Sequence, residues 1–294
     1  MTQISAKIIA DSYSAVNGKR ITTFELEYPR WIHGEILTHR MFSRNAMSSR
    51  AVPVEKMLKQ VRNDPAMPIH WGKNQAGMQA KEELTGEDLY DARLEWKDAA
   101  QAAADYALIL NNIGAHKQIV NRILEPFQLM KTVVTATEFE NFFWLRRHED
   151  AQPEIKELAE QMYVTMQTRQ SVTLKPGEWH TPYYAGGWWD ENCESSLEDA
   201  LAISSSCCAQ VSYRLLDDSI EKARKVYQRL VESEPVHASP FEHQVTPMKE
   251  PQQTDKYLWE DGMTHMDRDG NMWSGNLKGW IQYRQLIPNN VKLG

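Results

Sequence analysis

The densest group of reactive side chains lies between positions 39 and 50. This segment carries three guanidinium groups, three hydroxyls, one imidazole and one carboxamide: His39, Arg40, Ser43, Arg44, Asn45, Ser48, Ser49 and Arg50. Arginine forks make bidentate, charge-assisted hydrogen bonds with phosphate, and serine hydroxyls and loop amides add further donors. The composition predicts a phosphate site, but a solvated loop that caps the next helix would have the same residues. Neither GxxxxGK[ST] nor GxGxxG occurs, which argues against an ordinary P-loop or Rossmann site.

Two further clusters carry titratable groups. One occupies a predicted helix end: Glu138, Asn141, Arg146, Arg147, His148, Glu149 and Asp150. Helical spacing lets part of this set share a face with Arg146, although the spacing alone favours an exposed, salt-bridged helix end. The other is SPFEH at 239–243, where His243 follows Glu242. A histidine in such a loop can act as a general base, contact a cofactor or be structural.

Cysteine chemistry and metal binding have little support. Cys193, Cys207 and Cys208 cannot all pair within one chain, and there is no CxxC or HExxH motif. No basic residue lies close to Cys207 and Cys208 before Arg214, so nothing local would stabilise a nucleophilic thiolate. We therefore predict small buried residues at these positions and no metal site.

Composition limits the class of protein. The chain has 294 residues, of which 41% are hydrophobic, and a formal net charge of -7. That is enough apolar material for a sizeable core, and the net charge argues against a nucleic-acid-binding role. The sequence shows neither an apolar run of membrane-spanning length nor a signal peptide, so we expect a cytoplasmic protein without a membrane segment, acting in a host cytoplasm if it is phage-encoded.

Turn signals and periodicity outline the elements that must position these side chains. Two strands flank Asn17-Gly18, and helices are predicted over 54–64, 85–112, 115–125, 134–148, 152–168 and 219–233. The mixture predicts an α+β fold, in which a mixed or antiparallel sheet is flanked by helices, one of them long. We expect a single domain over 1–294, with a possible helical insert at 53–110 and an irregular C-terminal extension at 248–294.

Several of these segments resemble the flavin-dependent thymidylate synthases. Residues 38–50, THRMFSRNAMSSR, match that family's RHRxxSxNxxSxR loop except that Thr38 replaces the first arginine. We call residues 38–50 the signature loop. Residues 145–159, LRRHEDAQPEIKELA, resemble the family's LRxxxxAQxEI segment, and Arg122 with the following ILEPFQ resembles a segment whose arginine reaches the nucleotide phosphate.

The order of the motifs differs from that of usual members. The segments AQVSY at 209–213 and SPFEH at 239–243 follow the signature loop, whereas in usual members their counterparts precede it. The order resembles that of phage-type relatives and suggests a circular permutation, which a fold tolerates when its termini lie close together at the surface.

The resemblance implies an activity and a set of small molecules. The family transfers one carbon from 5,10-methylenetetrahydrofolate and a hydride from FAD, reduced by NADPH, to C5 of dUMP, giving dTMP. Such a cofactor performs the difficult chemistry while the protein positions it. The family also implies a homotetramer with its sites at subunit interfaces, and no cysteine nucleophile.

The same resemblance assigns expected roles. Catalytic roles fall to three residues: Arg146, Ser48 and His243. Substrate-binding roles fall to six: Glu35, Ser48, Ser49, Arg50, Arg122 from another subunit, and Arg146. Flavin- or cofactor-binding roles fall to eight: His39, Arg40, Met41, Asn45, Asn141, Asp150, Ser212 and His243.

Three departures from the family pattern keep alternatives open. Thr38 removes a cation, Ala46 stands where many members have glutamate, and Asp150 stands where a histidine is usual. Since uracil O4 accepts a hydrogen bond where cytosine N4 donates one, such changes can alter the choice of substrate. The alternatives are the same chemistry on dCMP, hydroxymethylation of a pyrimidine deoxynucleotide, a flavin or nucleotide binder without turnover, and a cysteine-dependent methyltransferase.

Overall fold

The structure is a computed structural model that describes residues 3–212, 217–252, 255 and 258–292. Its helices are α1 His33–Thr38, α2 Val54–Asn63, α3 Gly86–Asn112, α4 Lys117–Ile123, α5 Glu140–Arg146, α6 Pro153–Thr168, α7 Leu197–Ala209 and α8 Ile220–Val231. Its strands are β1 Ser5–Ser14, β2 Arg20–Pro29, β3 Ser43–Ala46, β4 Leu129–Ala136, β5 Val172–Leu174, β6 Trp179–His180, β7 Trp188–Trp189, β8 Val245–Pro247, β9 His265–Met266, β10 Met272–Ser274, β11 Leu277–Lys278 and β12 Trp280–Gln282. The α+β prediction is confirmed.

The N-terminal hairpin forms as its turn signal predicts. Strands β1 and β2 pair in antiparallel fashion, from Ser5 opposite Glu27 to Tyr13 opposite Arg20. Gly18 adopts a φ of 66°, a left-handed conformation that glycine reaches without a steric penalty. The side chain of Asn17 also accepts a hydrogen bond from the backbone N–H of Lys19 at 2.9 Å, so the turn has its own local support.

A five-stranded sheet in the order β3-β4-β2-β1-β5 forms the centre of the fold. All its pairings are antiparallel except the one between β1 and β5. One sequence prediction is wrong at β4. The pattern predicts a helix over 134–148, whereas the first residues of that range belong to β4 and the helix spans only Glu140–Arg146. The segment LMKTVVTA is a short, apolar, partly β-branched run that periodicity alone does not distinguish from a buried helix, and its pairing with β2 and β3 decides the outcome.

The two faces of this sheet pack against different parts of the chain. Phe24, Leu26 and Tyr28 alternate along β2 and join the main hydrophobic core with residues of α2 to α6. The other face carries Ile21, which packs with Leu174, Val245, Leu277 and Trp280. Helices α2 to α6 therefore cover one face, and residues of β8, β11 and β12 pack on the other.

The long helix predicted over 85–112 is confirmed as α3. It buries Ala100, Ala104 and Ala107, whose spacing places them on one stripe against the core. The tail expected to be an irregular extension at 248–294 instead contains β9 to β12, and β12 pairs with β8. These strands are two or three residues long, too short for periodicity to reveal. Among the described residues, no helix is both long and apolar enough to cross a membrane.

Candidate active site

Arg146 stands at the centre of a polar cluster at the C-terminal end of α5. Its Nη1 donates to Glu35 Oε2 at 2.5 Å, its Nε to His39 Nε2 at 2.9 Å and its Nη2 to Thr38 Oγ1 at 3.3 Å. The side chain is 20% exposed, so the guanidinium is held in place yet reachable from solvent. The structure thus brings two predicted site residues, Glu35 and His39, to a third, Arg146, which lies more than 100 positions later in the chain.

The end of α1 provides the partners of Arg146. Arg44 Nη1 donates to the backbone carbonyls of residues 36, 37 and 39 there, at 3.2, 2.9 and 3.3 Å. A cation at a helix C-terminus is favourable because it meets the negative end of the helix dipole. Arg44 therefore fixes the turn from which Thr38 and His39 project toward Arg146.

His39 is a neutral acceptor in this cluster. Burial, assisted by the charges of Arg146 and Arg44, lowers the pKa of His39 from 6.5 to about 4. Because the neutral ring accepts from Arg146 at Nε2, its proton belongs on Nδ1. The ring also packs edge-on against Phe142, with centroids 4.9 Å apart. Its orientation is thereby fixed on two sides.

Four histidines make a testable contribution to stability against pH. Burial is the main cause that lowers the pKa of His33 and His39 to about 4, and of His180 and His243 to about 3. Between these values and 6.5 the unfolded chain binds more protons than the folded one, so stability is complete above pH 6.5 and decreases as pH falls. We expect the free energy of unfolding to drop by about 1 kcal/mol per histidine between pH 7.5 and 5.5.

Urea unfolding at these two pH values measures the effect. His180→Gln should reduce the pH dependence, because it removes one of the four buried groups that gain a proton more readily in the unfolded chain. An unfolding midpoint that does not change with pH would contradict the assignment.

The other end of the signature loop forms a second group around Glu125. Glu125 Oε1 accepts from Arg122 Nη1 at 2.8 Å and from Ser49 Oγ at 3.3 Å, and it pairs with Arg30 Nη2 at 3.0 Å. Asn121 Nδ2 donates to the carbonyls of Ser49 and Val52, at 2.7 and 3.0 Å. The α4 segment therefore holds the loop at the serines expected to bind phosphate.

An open cavity of about 550 Å³ adjoins this group. Its lining combines two arginines and a glutamine with apolar side chains: Arg50, Leu110, Gln118, Ile119, Arg122 and Ile123. Arg50 and Arg122 thus share one surface within a single chain, whereas the resemblance expects the Arg122 at a given phosphate to come from another subunit. Both are exposed, as an anion arriving from solvent requires.

The segments that follow the signature loop in the chain return to it in space. In the orientation that satisfies both ends of its amide, Asn45 donates to the carbonyls of Arg44 and Ser239 at 3.0 and 3.2 Å, and the 3-10 helix Ser239–Glu242 packs against β3. A circular permutation can keep the site only if these segments still converge on the loop in space, and the two contacts satisfy that condition.

His243 lies at the end of a buried chain of polar side chains. Its Nδ1 contacts Thr135 Oγ1 at 2.8 Å, Thr135 contacts Thr23 at 2.7 Å, and Thr23 contacts His180 Nε2 at 2.8 Å. His243 Nε2 is buried and has no hydrogen-bond partner among the described residues. Sequence reasoning missed Thr23, Thr135 and His180, because isolated threonines in strands carry no local signal of such a role.

The buried cysteines are unsuited to nucleophilic attack. Cys207 and Cys208 lie on α7 and are fully buried. Burial raises the pKa of Cys207 to about 12 and raises that of Cys208 well above its ordinary value. Both are therefore thiols at neutral pH, whereas the reactive form is the thiolate.

Other predicted site residues lie apart from Arg146. Arg40 and Asn141 are exposed, and Asp150 is exposed beside His148, with His148 Nδ1 3.6 Å from Asp150 Oδ2. Glu138 pairs with Lys19 instead of Arg146. The cluster predicted at the helix end, residues 138–150, therefore divides into separate pairs. Met41 contributes its backbone carbonyl to a contact with Asn276. Ser212 ends the 3-10 helix Gln210–Ser212, and its side chain lies outside the described residues.

No group of three or more potential metal-binding side chains occurs in the part of the chain that the structure describes.

The fold and the site define an α+β protein whose polar centre is built from arginines and neutral histidines, with cations available for an anionic ligand. Residues 5–169 match the family model Thy1, thymidylate synthase complementing protein. The chain belongs to this family, and it is thus a thymidylate synthase-like pyrimidine nucleotide methyltransferase.

Two solved structures of PolB from Streptomyces cacaoi, described as a UMP/dUMP methylase, are similar to this chain. The complex with 5-Br UMP has a TM-score of 0.46 and 16% identity, covering 56% of this chain and 89% of PolB. The complex with 5-Br dUMP has a TM-score of 0.45 and 17% identity, covering 56% and 90%. No curated protein sequence matches the chain.

Proposed function

We propose that the chain is a flavin-dependent thymidylate synthase that converts dUMP to dTMP. The observation that carries the proposal is the Arg146 guanidinium, which is oriented by Glu35 and His39 and remains partly open to solvent. A fixed guanidinium can donate to a pyrimidine carbonyl and stabilise the negative charge that develops when C5 is activated. Family membership supplies the reaction class, and the family resemblance supplies the flavin and folate.

The residues around β3 suit the cofactor named by the resemblance. FAD reduced by NADPH would supply the hydride, and 5,10-methylenetetrahydrofolate the carbon. His243 Nε2 is a buried polar atom without a partner among the described residues, and a bound group would satisfy it. We propose that His39, Arg40, Met41, Asn45 and His243 hold the flavin, with Asn141, Asp150 and Ser212 at its periphery.

The chain's own groups bind and orient the nucleotide. We propose that Arg50, Arg122, Ser48 and Ser49 hold its phosphate. Ser49 already contacts the Glu125 carboxylate that pairs with Arg122, so both phosphate donors are positioned by one acceptor. Arg146 then meets the pyrimidine, and the neutral ring of His39 keeps the guanidinium oriented.

We further propose a homotetramer with sites at subunit interfaces. Large apolar side chains on α3 and α4, beside the cavity with Arg50 and Arg122, are more than half exposed in the single chain: Tyr106, Ile109 and Ile119. Burying such side chains between subunits would stabilise an assembly.

Glu35 favours one alternative substrate, dCMP. A carboxylate accepts hydrogen bonds and donates none, so Glu35 beside Arg146 can accept from the cytosine N4 amino group but gives nothing to uracil O4. The same site would then act on cytosine instead of uracil.

A product assay by mass spectrometry tests the proposal. The purified protein receives FAD, NADPH, methylenetetrahydrofolate and an equal mixture of dUMP and dCMP. We expect dTMP from dUMP. A methylated or hydroxymethylated product of dCMP would show that dCMP, and not dUMP, is the substrate. Bound FAD without any product would overturn the proposal that the chain is a thymidylate synthase.

The cysteines provide a test against the cysteine-dependent mechanism. The double variant Cys207→Ser, Cys208→Ser should keep kcat/KM for dUMP within about threefold of the parent, because buried thiols with raised pKa values take no part in the reaction. Steady-state rates of dTMP formation measure this. Loss of turnover in a variant that still unfolds cooperatively would restore the cysteine mechanism.

A further inference from the structure

The C-terminal tail contacts the signature loop through Asn276. This residue lies in the turn between β10 and β11, after Gly275, whose φ of 59° is in the left-handed region. Its Nδ2 donates to the carbonyl of Met41 at 3.0 Å, and its Oδ1 accepts from Ser43 Oγ at 3.0 Å. Both ends of one amide are therefore used on the segment expected to contact the flavin.

Gln282 on β12 joins this contact to the SPFEH segment. Its Nε2 lies 3.2 Å from Ser43 Oγ, 3.2 Å from Asn276 Oδ1 and 3.1 Å from the carbonyl of Glu242. The residue is 1% exposed, as is Ser43, so Gln282 Nε2 and Ser43 Oγ have almost no access to solvent. Since a buried amide is costly unless it is hydrogen-bonded, the three acceptors fix its position.

The tail also contacts the residues on either side of His243 in the sequence, Glu242 and Gln244. Arg284 Nη1 donates to Glu242 Oε1, and the backbone N–H of Tyr283 donates to the carbonyl of Gln244 at 2.9 Å. Strand β12 pairs with β8, so Gln282 lies opposite Val245. Residues 282–284 therefore run beside 242–245 and leave His243 little freedom.

These contacts set the distance between two parts of the site that lie far apart in the chain. Ser43 and His243 are 200 positions apart, so no local structure sets their separation. An error of about 1 Å in the placement of a group near a reaction can reduce the rate by about 100-fold. Asn276 and Gln282 lie outside the matched family region 5–169 and outside every motif identified in the sequence.

We propose that the tail acts as a clamp, in which Asn276 and Gln282 are positioning residues that set the signature loop against His243 for the reaction. The proposal rests on the proposed function for the role of His243 and the loop. It assigns to the tail a contribution to turnover, in addition to its contribution to stability.

The test compares Asn276→Ala and Gln282→Met with Ser274→Ala in the full chain. Ser274 is a buried residue of the same tail. Among the described residues, its hydroxyl bonds to the carbonyl of Gly262 and to the backbone N–H of Gln282, and neither contact reaches the signature loop. We expect the first two variants to lower kcat by about 10-fold or more with KM for dUMP within about twofold. Ser274→Ala should change kcat by less than about twofold at a similar loss of stability.

Hydrogen exchange provides a measurement that needs no substrate. In the free protein, Asn276→Ala should speed amide exchange in peptides covering 38–46 and leave those covering α6 unchanged, and Ser274→Ala should leave both unchanged. If Gln282→Met does not fold, Asn276→Ala still decides the question.

The outcomes separate the two proposals. Unchanged exchange over 38–46 in Asn276→Ala, or equal losses of kcat in Asn276→Ala and Ser274→Ala, would overturn the clamp. Faster exchange in Asn276→Ala alone, with a parent protein that makes no dTMP, would uphold the clamp on the loop and reject the proposed function.

Discussion

Replacing Arg146 with alanine is expected to lower kcat/KM for dUMP by about 100- to 1000-fold. This is the usual effect of removing one hydrogen-bond donor that stabilises developing charge. The structure supports the size of the effect, because the guanidinium is already oriented by Glu35 Oε2 at 2.5 Å and His39 Nε2 at 2.9 Å. Steady-state rates of dTMP formation measure the loss, and flavin absorbance checks that FAD still binds.

The neighbouring arginine is the matched control. Arg147 Nε lies 3.0 Å from Glu160 Oε1, and its guanidinium stacks over Tyr163, away from the Glu35 cluster. Arg147→Ala should therefore leave kcat/KM within about twofold of the parent, with a stability loss of about 1 kcal/mol or less. Arg146→Lys should fall between parent and alanine, since lysine keeps the charge but lacks the planar fork. Equal activity of Arg146→Ala and Arg147→Ala would refute the role of Arg146.

Replacing Arg50 with alanine should raise KM for dUMP by about 10- to 100-fold with a smaller effect on kcat. A hydrogen bond to a charged group contributes about 1.5–3 kcal/mol, and each 1.4 kcal/mol is a factor of ten in affinity. Arg50 lines the cavity that also contains Arg122, so both cations face one open volume. Nucleotide titrations and steady-state kinetics measure the effect.

Deoxyuridine, which lacks the phosphate, sharpens this test. If Arg50 binds phosphate, Arg50→Ala and the parent should differ with dUMP but agree with deoxyuridine. Arg229→Ala, at an exposed arginine on α8, should match the parent with both compounds. A variant that loses as much affinity for deoxyuridine as for dUMP would assign Arg50 to another part of the substrate or to stability.

Local patterns were sufficient for much of the architecture. The hairpin around Asn17-Gly18 and the helices α2, α3, α6 and α8 followed from turn residues and helical periodicity, because both signals lie within the segment itself. Strand β4 did not follow from periodicity. Its pairing partners β2 and β3 lie about 100 positions before it, and a short apolar segment is ambiguous until such partners are known.

Part of the candidate site could likewise be predicted from the sequence, and part could not. The motif at 38–50 and the segment around Arg146 indicated the family before any contact was known, since the residue types and their spacing are a property of the chain alone. The contact between the motif at 38–50 and Arg146 was not indicated by spacing. Helical spacing placed Glu138 and Asn141 near Arg146, whereas the structure places Glu35 and His39 there.

The sequence by itself determined the resemblance to the family and the residues expected to carry the chemistry, the predicted hairpin and most of the helices, and the unusual order of the motifs. Only the tertiary structure decided that His243 is buried at the end of a polar chain with His180, and that the tail joins Ser43 to Glu242. The physical reason is range. Turn chemistry and helical periodicity act over a few residues and are visible in sequence, whereas these contacts link single polar groups between 40 and 239 positions apart. Their free energy arises only when packing excludes water from them.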